Sequence, residues 1–441
     1  MEKKTWKIRA MQIAMALLCL VMLSMPLYVG LQKLALKHPS WNRGLIAAIL
    51  CDAPKKNPVP EIKKEKVDWE KEYPFAEKES VLKKAKSRST PAERLTDGMG
   101  KRLIAYYHVV EAGRKIEDIA GWEIMNSATK VVSYGDGYFN FAYQKLDMSS
   151  RAKALARLNA FAQSQGAQFF YVQAPIKASP TEDLMSLHIR DHANENGDQL
   201  LAMLKTDGID YLDLRPILGE GKTPQEYHQM FFRTDHHWLP QTAVHAAYIV
   251  GQKLARDCGI EVDLSQLSLA KYDIEMKAGL FLGSSGKKVT LARTKPDDFP
   301  ILHPKESTHF FMNWYGRCEN LEGAFEITYN LRQIGIKDWY NMNPHSMYGH
   351  GDQPLISFEN RNLNHFKNQK VMLIKDSFSD TMGPFLTMGM KHLIMVDVRE
   401  FTGSIETLIK REKPDVVMVM YSPRYMGEID WTKHRDQFDF R

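Results

Sequence analysis

Val371-Met372-Leu373-Ile374-Lys375-Asp376-Ser377-Phe378 carries the clearest structural signal in this chain. Four consecutive apolar residues without polar alternation read as a strand buried on both faces, and a serine stands just past its carboxyl end. The same kind of run recurs at Phe169-Phe170-Tyr171-Val172-Gln173-Ala174, at residues 392–398 and at residues 416–420, with a shorter strand at 211–214. Helical patterns separate them: residues 149–165 with Gly166 as a stop, residues near 199–205, and a helix opened by Pro240 and running to Cys258. Apolar strands alternating with helices define an α/β fold, a parallel sheet flanked by helices on both faces. Tyr134-Gly135-Asp136-Gly137-Tyr138 reads as a turn beside an aromatic strand, and residues 259–370, rich in Gly, Pro and aromatics, as a large irregular insertion over the strand ends.

Outward from this core, the amino-terminal region sets an address. Lys3, Lys4, Lys7 and Arg9 precede an uncharged run of 23 residues, 10–32. A helix of about 20 residues spans a bilayer, and no small-x-small cleavage signal closes the run. The expected organisation is a cytoplasmic tail at 1–9, a transmembrane anchor at 10–32, a linker or stalk at 33–94 and a catalytic domain at 95–441 outside the cytoplasm. Residues 55–94 are rich in Lys, Glu and Pro, and Leu95, Met99, Leu103, Tyr106 and Val110 then recur at helical spacing. The 441 residues carry 59 basic and 53 acidic side chains, a net charge of +6 without an arginine-rich aromatic patch, so nucleic acid is not an expected partner. Cys19, Cys51, Cys258 and Cys318 show no CxxC spacing, which argues against a zinc ribbon or redox dithiol; a Cys258–Cys318 bridge stays open.

The chemistry gathers in two segments. Arg233-Thr234-Asp235-His236-His237-Trp238 places a carboxylate two residues before an imidazole, ahead of the Pro240 helix. In an extended segment both side chains share a face, so Asp235 can orient His237 while His236 points away. Ser377 lies in a strand-to-helix turn whose helix is expected to start near Gly383-Pro384, where backbone N–H groups could serve an oxyanion. Together these supply the nucleophile (Ser377), base (His237) and orienting acid (Asp235) of serine acyl transfer. Ser379 is the alternative exposed serine. Two other readings of the first segment stay open: a polar helix entry with Asp235 as a local cap, or a metal site made by Asp235, His236, His237 or His245 with Asp376, although no standard ligand spacing is present. No cofactor is expected.

Thr234-Asp235-His236-His237-Trp238 resembles the motif that names the DHHW protein family, and Lys375-Asp376-Ser377-Phe378, Pro384-Phe385-Leu386 and Val396-Asp397-Val398-Arg399 resemble its carboxy-terminal block. Val67-Asp68-Trp69-Glu70 and Tyr73-Pro74-Phe75 resemble the segment after its membrane anchor. That family is similar to the SGNH-like alginate O-acetyltransferase proteins. The resemblance implies an SGNH-hydrolase-like (flavodoxin-like) domain in which the Asp/His pair precedes the serine, a permuted motif order. Tyr348-Gly349-His350-Gly351-Asp352-Gln353-Pro354 resembles a glycine-rich family segment, making Gly351 and Asp352 oxyanion or substrate candidates beside the glycine loop at Gly283. Lys177, after Gln173-Ala174-Pro175-Ile176, is a candidate contact for an anionic polymer, and Trp314-Tyr315 and Trp339-Tyr340 for sugar stacking.

The function implied is a membrane-anchored, extracytoplasmic serine O-acyltransferase that acetylates a cell-surface polysaccharide, with a membrane-bound O-acyltransferase as its acyl-donor partner. A carbohydrate esterase would use the same triad, with water replacing the sugar hydroxyl. A non-catalytic polysaccharide-binding or assembly protein is the rival from another class.

Overall fold

The computed structural model describes residues 63–66, 131–135, 137–184, 190–317, 319–335, 337–423 and 436–441. The strands in chain order are β1 (Lys63–Lys66), β2 (Val131–Gly135), β3 (Tyr138–Phe141), β4 (Gln168–Gln173), β5 (Tyr211–Asp213), β6 (Tyr272–Phe281) and β7 (Asp297–Pro304). They continue as β8 (Phe310–Trp314), β9 (Glu319–Gly323), β10 (Leu355–Asn360), β11 (Lys370–Lys375), β12 (His392–Val396) and β13 (Val416–Tyr421). Nine of them form one sheet in the order β1-β9-β8-β10-β12-β11-β13-β4-β5.

The four apolar runs read from the sequence are β4, β11, β12 and β13, and they lie side by side in parallel with β5 at the edge. Their side chains alternate between two cores. Phe170, Val172, Val371, Leu373, Met418 and Met420 pack with the helix Pro240–Cys258 on one face. Phe169, Tyr171, Met372, Ile374, Val417 and Val419 pack with the helices Ser149–Ser164, Ala193–Thr206 and Ile405–Glu412 on the other. Burial on both faces is what removes polar alternation from these strands.

Two expectations need correction. The sheet is mixed rather than parallel, because β10 runs antiparallel to β12 and to β8, and β8, β9 and β1 continue antiparallel. The stretch 259–370 is not irregular throughout: it supplies β8, β9 and β10 to the sheet and the separate β6–β7 hairpin. Strands such as Glu319–Gly323 are short and half-buried, so they carry none of the apolar continuity that marks the central ones. No helix among the described residues is long and apolar enough to cross a membrane. The expected anchor at 10–32, the stripe from Leu95 to Val110 and Cys318 lie outside the described residues, as does the stalk at 33–94 apart from β1, which pairs with β9 in the sheet, while Cys258 is a free thiol.

Candidate active site

Ser377 leaves β11 at the carboxyl edge of the parallel strands, where open α/β sheets place their ligand sites. The following helix begins at Phe378 and runs to Leu386, earlier than the Gly383-Pro384 expected, and Pro384 lies inside it. The reason is local. The Asp376 carboxylate accepts the Phe378 N–H (3.0 Å) and the Ser422 N–H (2.6 Å), which fixes the turn on both sides of the serine.

Asp235 and His237 come from the loop before the helix Pro240–Cys258, which packs against the helix Phe378–Leu386. This loop is a bend closed by a Phe231–Trp238 bridge rather than an extended segment. The Asp235 carboxylate accepts the His237 backbone N–H (3.1 Å) and also lies 2.5 Å from His237 Nδ1. The spacing of two therefore works through an Asx-type turn, not through strand alternation. His237 Nε2 lies 2.7 Å from Ser377 Oγ, so the three groups form one hydrogen-bonded line from residues 140 positions apart. Trp238 ties the two segments together by donating Nε1–H to the Phe378 carbonyl (3.1 Å). Ser379, by contrast, is fully buried.

The acid is held by its neighbours. Burial alone would raise the Asp235 pKa, but the facing His236 and His237, with the His237 hydrogen bond, keep the carboxylate well below its ordinary range. Its second oxygen accepts the Ser284 N–H (2.6 Å). Thr234 anchors the loop from below, with its N–H and hydroxyl both on Asp297 (2.9 and 2.6 Å). His236 does not point away as expected, because the loop is bent: its ring lies 3.8 Å from that of His237, and its Nδ1 meets Ser284 Oγ (2.9 Å) and lies 3.5 Å from the Asp235 carboxylate.

Asp235, His236 and His237 bring three donor atoms within 4.8 Å of one another, the cluster a metal reading would need. Both nitrogens of His237 are already engaged, so a metal there would have to displace either Asp235 or Ser377. The donor set therefore fits acyl transfer better than ligation.

The remaining sequence candidates sort differently. Lys177 is fully buried, not on the surface. Its ammonium donates to the carbonyls of Phe139 (2.5 Å), Arg233 (3.0 Å) and Asp235 (2.6 Å), and burial depresses its pKa to about 7. It clamps the acid loop to β3 and cannot meet a polymer. The Gly283 N–H goes to Thr234 Oγ1 (2.9 Å), and the Gly351 N–H to the Tyr348 carbonyl (3.0 Å), so both are committed within their loops. Asp352, whose side chain is 45% exposed, pairs with Arg399 (2.6 Å), and the Arg399 and Lys375 charges hold its carboxyl well below the ordinary range. Arg399 and Lys375 also grip Asp397, and Lys375 meets Asp380 at 2.5 Å, which makes a buried ion network beneath the serine turn. Trp314 and Tyr315 are buried, and Trp339 donates to the Gly279 carbonyl (2.8 Å).

One residue at the site carried no signal in the sequence. His345, on the short 3-10 turn Pro344–Met347, stacks face to face on His237, with ring centroids 3.6 Å apart and planes 13° from parallel. Nothing in its spacing distinguishes it from a core histidine.

The sheet, the serine at its carboxyl edge and the Asp–His loop form an α/β domain similar to SGNH hydrolase-like domains. Comparison with known proteins agrees. Residues 136–296 match the family described as the SGNH hydrolase-like domain of the acetyltransferase AlgX, a segment that includes the Asp235–His237 loop and Gly283 but ends before Ser377. The structure of Bacillus cereus PatB1 with a sulfonyl adduct superposes with a TM-score of 0.57 at 20% identity, covering 72% of this chain and 100% of that one. A second structure of Bacillus cereus PatB1 gives 0.54 at 20% identity, covering 70% of this chain and 99% of that one. A DHHW family protein from Eubacterium siraeum gives 0.47 at 17% identity over 69% of this chain and 93% of that one. No curated protein matches.

Proposed function

We propose that this chain is a serine O-acyltransferase that acetylates a polysaccharide hydroxyl through an acyl-enzyme on Ser377. The observation that carries this reading is the unbroken line Ser377 Oγ–His237 Nε2 (2.7 Å) and His237 Nδ1–Asp235 (2.5 Å) in a buried setting. Asp235 keeps the proton on Nδ1, which leaves Nε2 free to accept the serine proton. Oγ attacks the acyl carbonyl of an activated ester or thioester donor, and His237 returns the proton to the leaving group. The Ser377 N–H, at the amino end of the helix Phe378–Leu386, is the donor assigned to the developing oxyanion. In the second half His237 takes the proton of a sugar hydroxyl whose oxygen attacks the acyl carbonyl; the acyl–Oγ bond breaks and His237 returns the proton to Ser377 Oγ.

The family match to an acetyltransferase domain supports acetyl as the group carried. The same reading includes a transmembrane anchor at 10–32, placement of the domain outside the cytoplasm, a cell-surface polysaccharide as acceptor and a membrane-bound acyltransferase as donor partner. These rest on the charge and hydropathy of residues 1–32 and on the family resemblance.

Purified protein with an aryl acetate, with and without an oligosaccharide acceptor, tests the reading. Ser377→Ala should abolish aryl acetate turnover and labelling by a serine-directed sulfonyl fluoride, the reagent class suggested by the sulfonyl adduct of PatB1. Acetylated oligosaccharide identifies a transferase, whereas free acetate alone identifies an esterase. Wild-type protein that is neither labelled nor active would leave only a binding role.

A further inference from the structure

Two imidazoles that the triad does not use pack on its base: His236 from the same loop, tilted by 38° with ring centroids 3.8 Å apart, and His345, which alone lies parallel to it. His237 and His345 lie face to face at 3.6 Å and 13°, and both side chains are buried. Two imidazolium ions at that separation would repel strongly away from water, so at most one ring can carry a charge. The ring that must carry it during acyl transfer is His237, which leaves His345 neutral.

The surroundings of His345 hold it in that state. Burial, and then the charge of His237, push its pKa well below the ordinary imidazole value. The charged groups facing it are His237 and Asp235 from the acid–base loop, Asp352 from the glycine-rich loop and Lys375 from the end of β11. Its Nε2 lies 3.3 Å from Thr381 Oγ1 on the helix that follows the serine. The loop carrying it is fixed on several sides. Tyr348 donates its hydroxyl proton to the Pro300 carbonyl (2.9 Å) and accepts the Leu302 N–H (3.2 Å). The Asn330 N–H holds the Met347 carbonyl (2.7 Å). Gly349, with φ +55°, comes so close to the Asp380 carbonyl that a β-carbon would sit 2.5 Å from that oxygen. A ring on so rigid a mount is a fixed wall rather than an adaptable contact.

We infer that His345 is a positioning residue for acyl transfer: its neutral ring face holds the His237 plane in line with Ser377 and stabilises the imidazolium that forms as the serine proton moves. This rests on the acyl-transfer reading above. No bond is made or broken at His345. The proton passes from Ser377 Oγ to His237 Nε2 and on to the leaving group, while the neighbouring π-face lowers the energy of the charged intermediate.

The test uses His345→Leu and His345→Phe in the full chain, with aryl acetate kcat/KM measured against pH and the rate of sulfonyl fluoride labelling alongside. Loss of the π-face in His345→Leu should lower kcat/KM about thirty-fold, the order of a desolvated cation–π contact, mainly through kcat. It should also move the acidic limb of the profile down by about one unit, because the imidazolium loses a contact that favoured it. His345→Phe, which keeps a flat ring of similar size, should stay within about three-fold of wild type with its acidic limb unmoved. A purely packing role would lower activity without moving the limb. The inference is overturned if His345→Leu stays within two-fold of wild type with an unshifted limb, or if folded His345→Phe loses as much as His345→Leu. Should His345→Leu fail to fold, a His345→Phe profile displaced by a unit or depressed ten-fold also overturns it, and an unchanged one supports it. Ser377→Ala run in parallel separates the two claims: inactivity there with unchanged His345 variants sinks this inference and leaves the acyl-transfer reading standing.

Discussion

Gly283→Ala is the sharpest perturbation the structure offers. A β-carbon at Gly283 would sit 2.2 Å from Asp235 Cβ, 2.6 Å from Asp235 Cα and 2.6 Å from the Thr234 carbonyl oxygen. Ordinary contact begins near 3.4 Å, so the acid and its backbone would have to retreat by roughly 1.2 Å. They have no free direction in which to go. Lys177 pulls the Asp235 carbonyl from one side, Asp297 holds Thr234 from another, and the Ser284 N–H holds the carboxylate itself. Overpacking of this kind costs about 1–3 kcal/mol, which leaves the large double core folded. The effect on chemistry is larger, because a misplacement of about 1 Å in a catalytic group can cost about a hundred-fold in rate. The assay is stopped-flow labelling of Ser377 by a sulfonyl fluoride together with aryl acetate turnover, with a melting curve as the control. The expected result is an intact cooperative melt with both rates down about a hundred-fold. Rates within three-fold of wild type would refute the claim that Gly283 is there to seat the acid.

Three further outcomes follow from the same geometry. Lys177→Met removes the donor to three buried carbonyls and should cost on the order of 3 kcal/mol, read as a lower urea midpoint together with slower Ser377 labelling; an unchanged midpoint would contradict the clamp. Burial raises the Asp191 carboxyl from 3.8 to about 6, so between these values the folded chain holds more protons than the unfolded one and stability falls as pH rises. That fall of about 3 kcal/mol should appear in wild-type urea midpoints across the window and vanish in Asp191→Asn, and a flat wild-type profile would dismiss it. Because both nitrogens of His237 are engaged by Asp235 and Ser377, EDTA should leave labelling and turnover unchanged, whereas inactivation reversed by zinc would favour a metal at Asp235, His236 and His237.

The parts of this molecule legible in the sequence are those where one physical demand dominates a short window. The parallel strands are apolar throughout because both faces are covered, and Pro240 and Cys258 bound their helix as its amino-terminal proline and the glycine after it require. Asp235, His237 and Ser377 could be singled out because the chemistry restricts residue type. Their convergence across 140 positions is expected from the chemistry and the family resemblance rather than from any local pattern, and the means, an Asx-type turn in place of an extended segment, leaves no mark in the sequence. Lys177 misled for a physical reason. A lysine is buried only when it satisfies several acceptors, and the three carbonyls it serves come from two distant segments. His345 and Asp297 likewise gain their meaning only from what the fold sets beside them. The antiparallel half of the sheet escaped because strands such as β9 are short and half-buried, and so lack a clear period.

Mass spectrometry of the protein quenched during aryl acetate turnover reads the acyl-enzyme on Ser377 itself. A single acetyl group is expected on the peptide containing Ser377, absent in Ser377→Ala and discharged when an oligosaccharide acceptor is added. Turnover without any adduct, or an acetyl group on Ser379 or Ser284 that survives in Ser377→Ala, would contradict it.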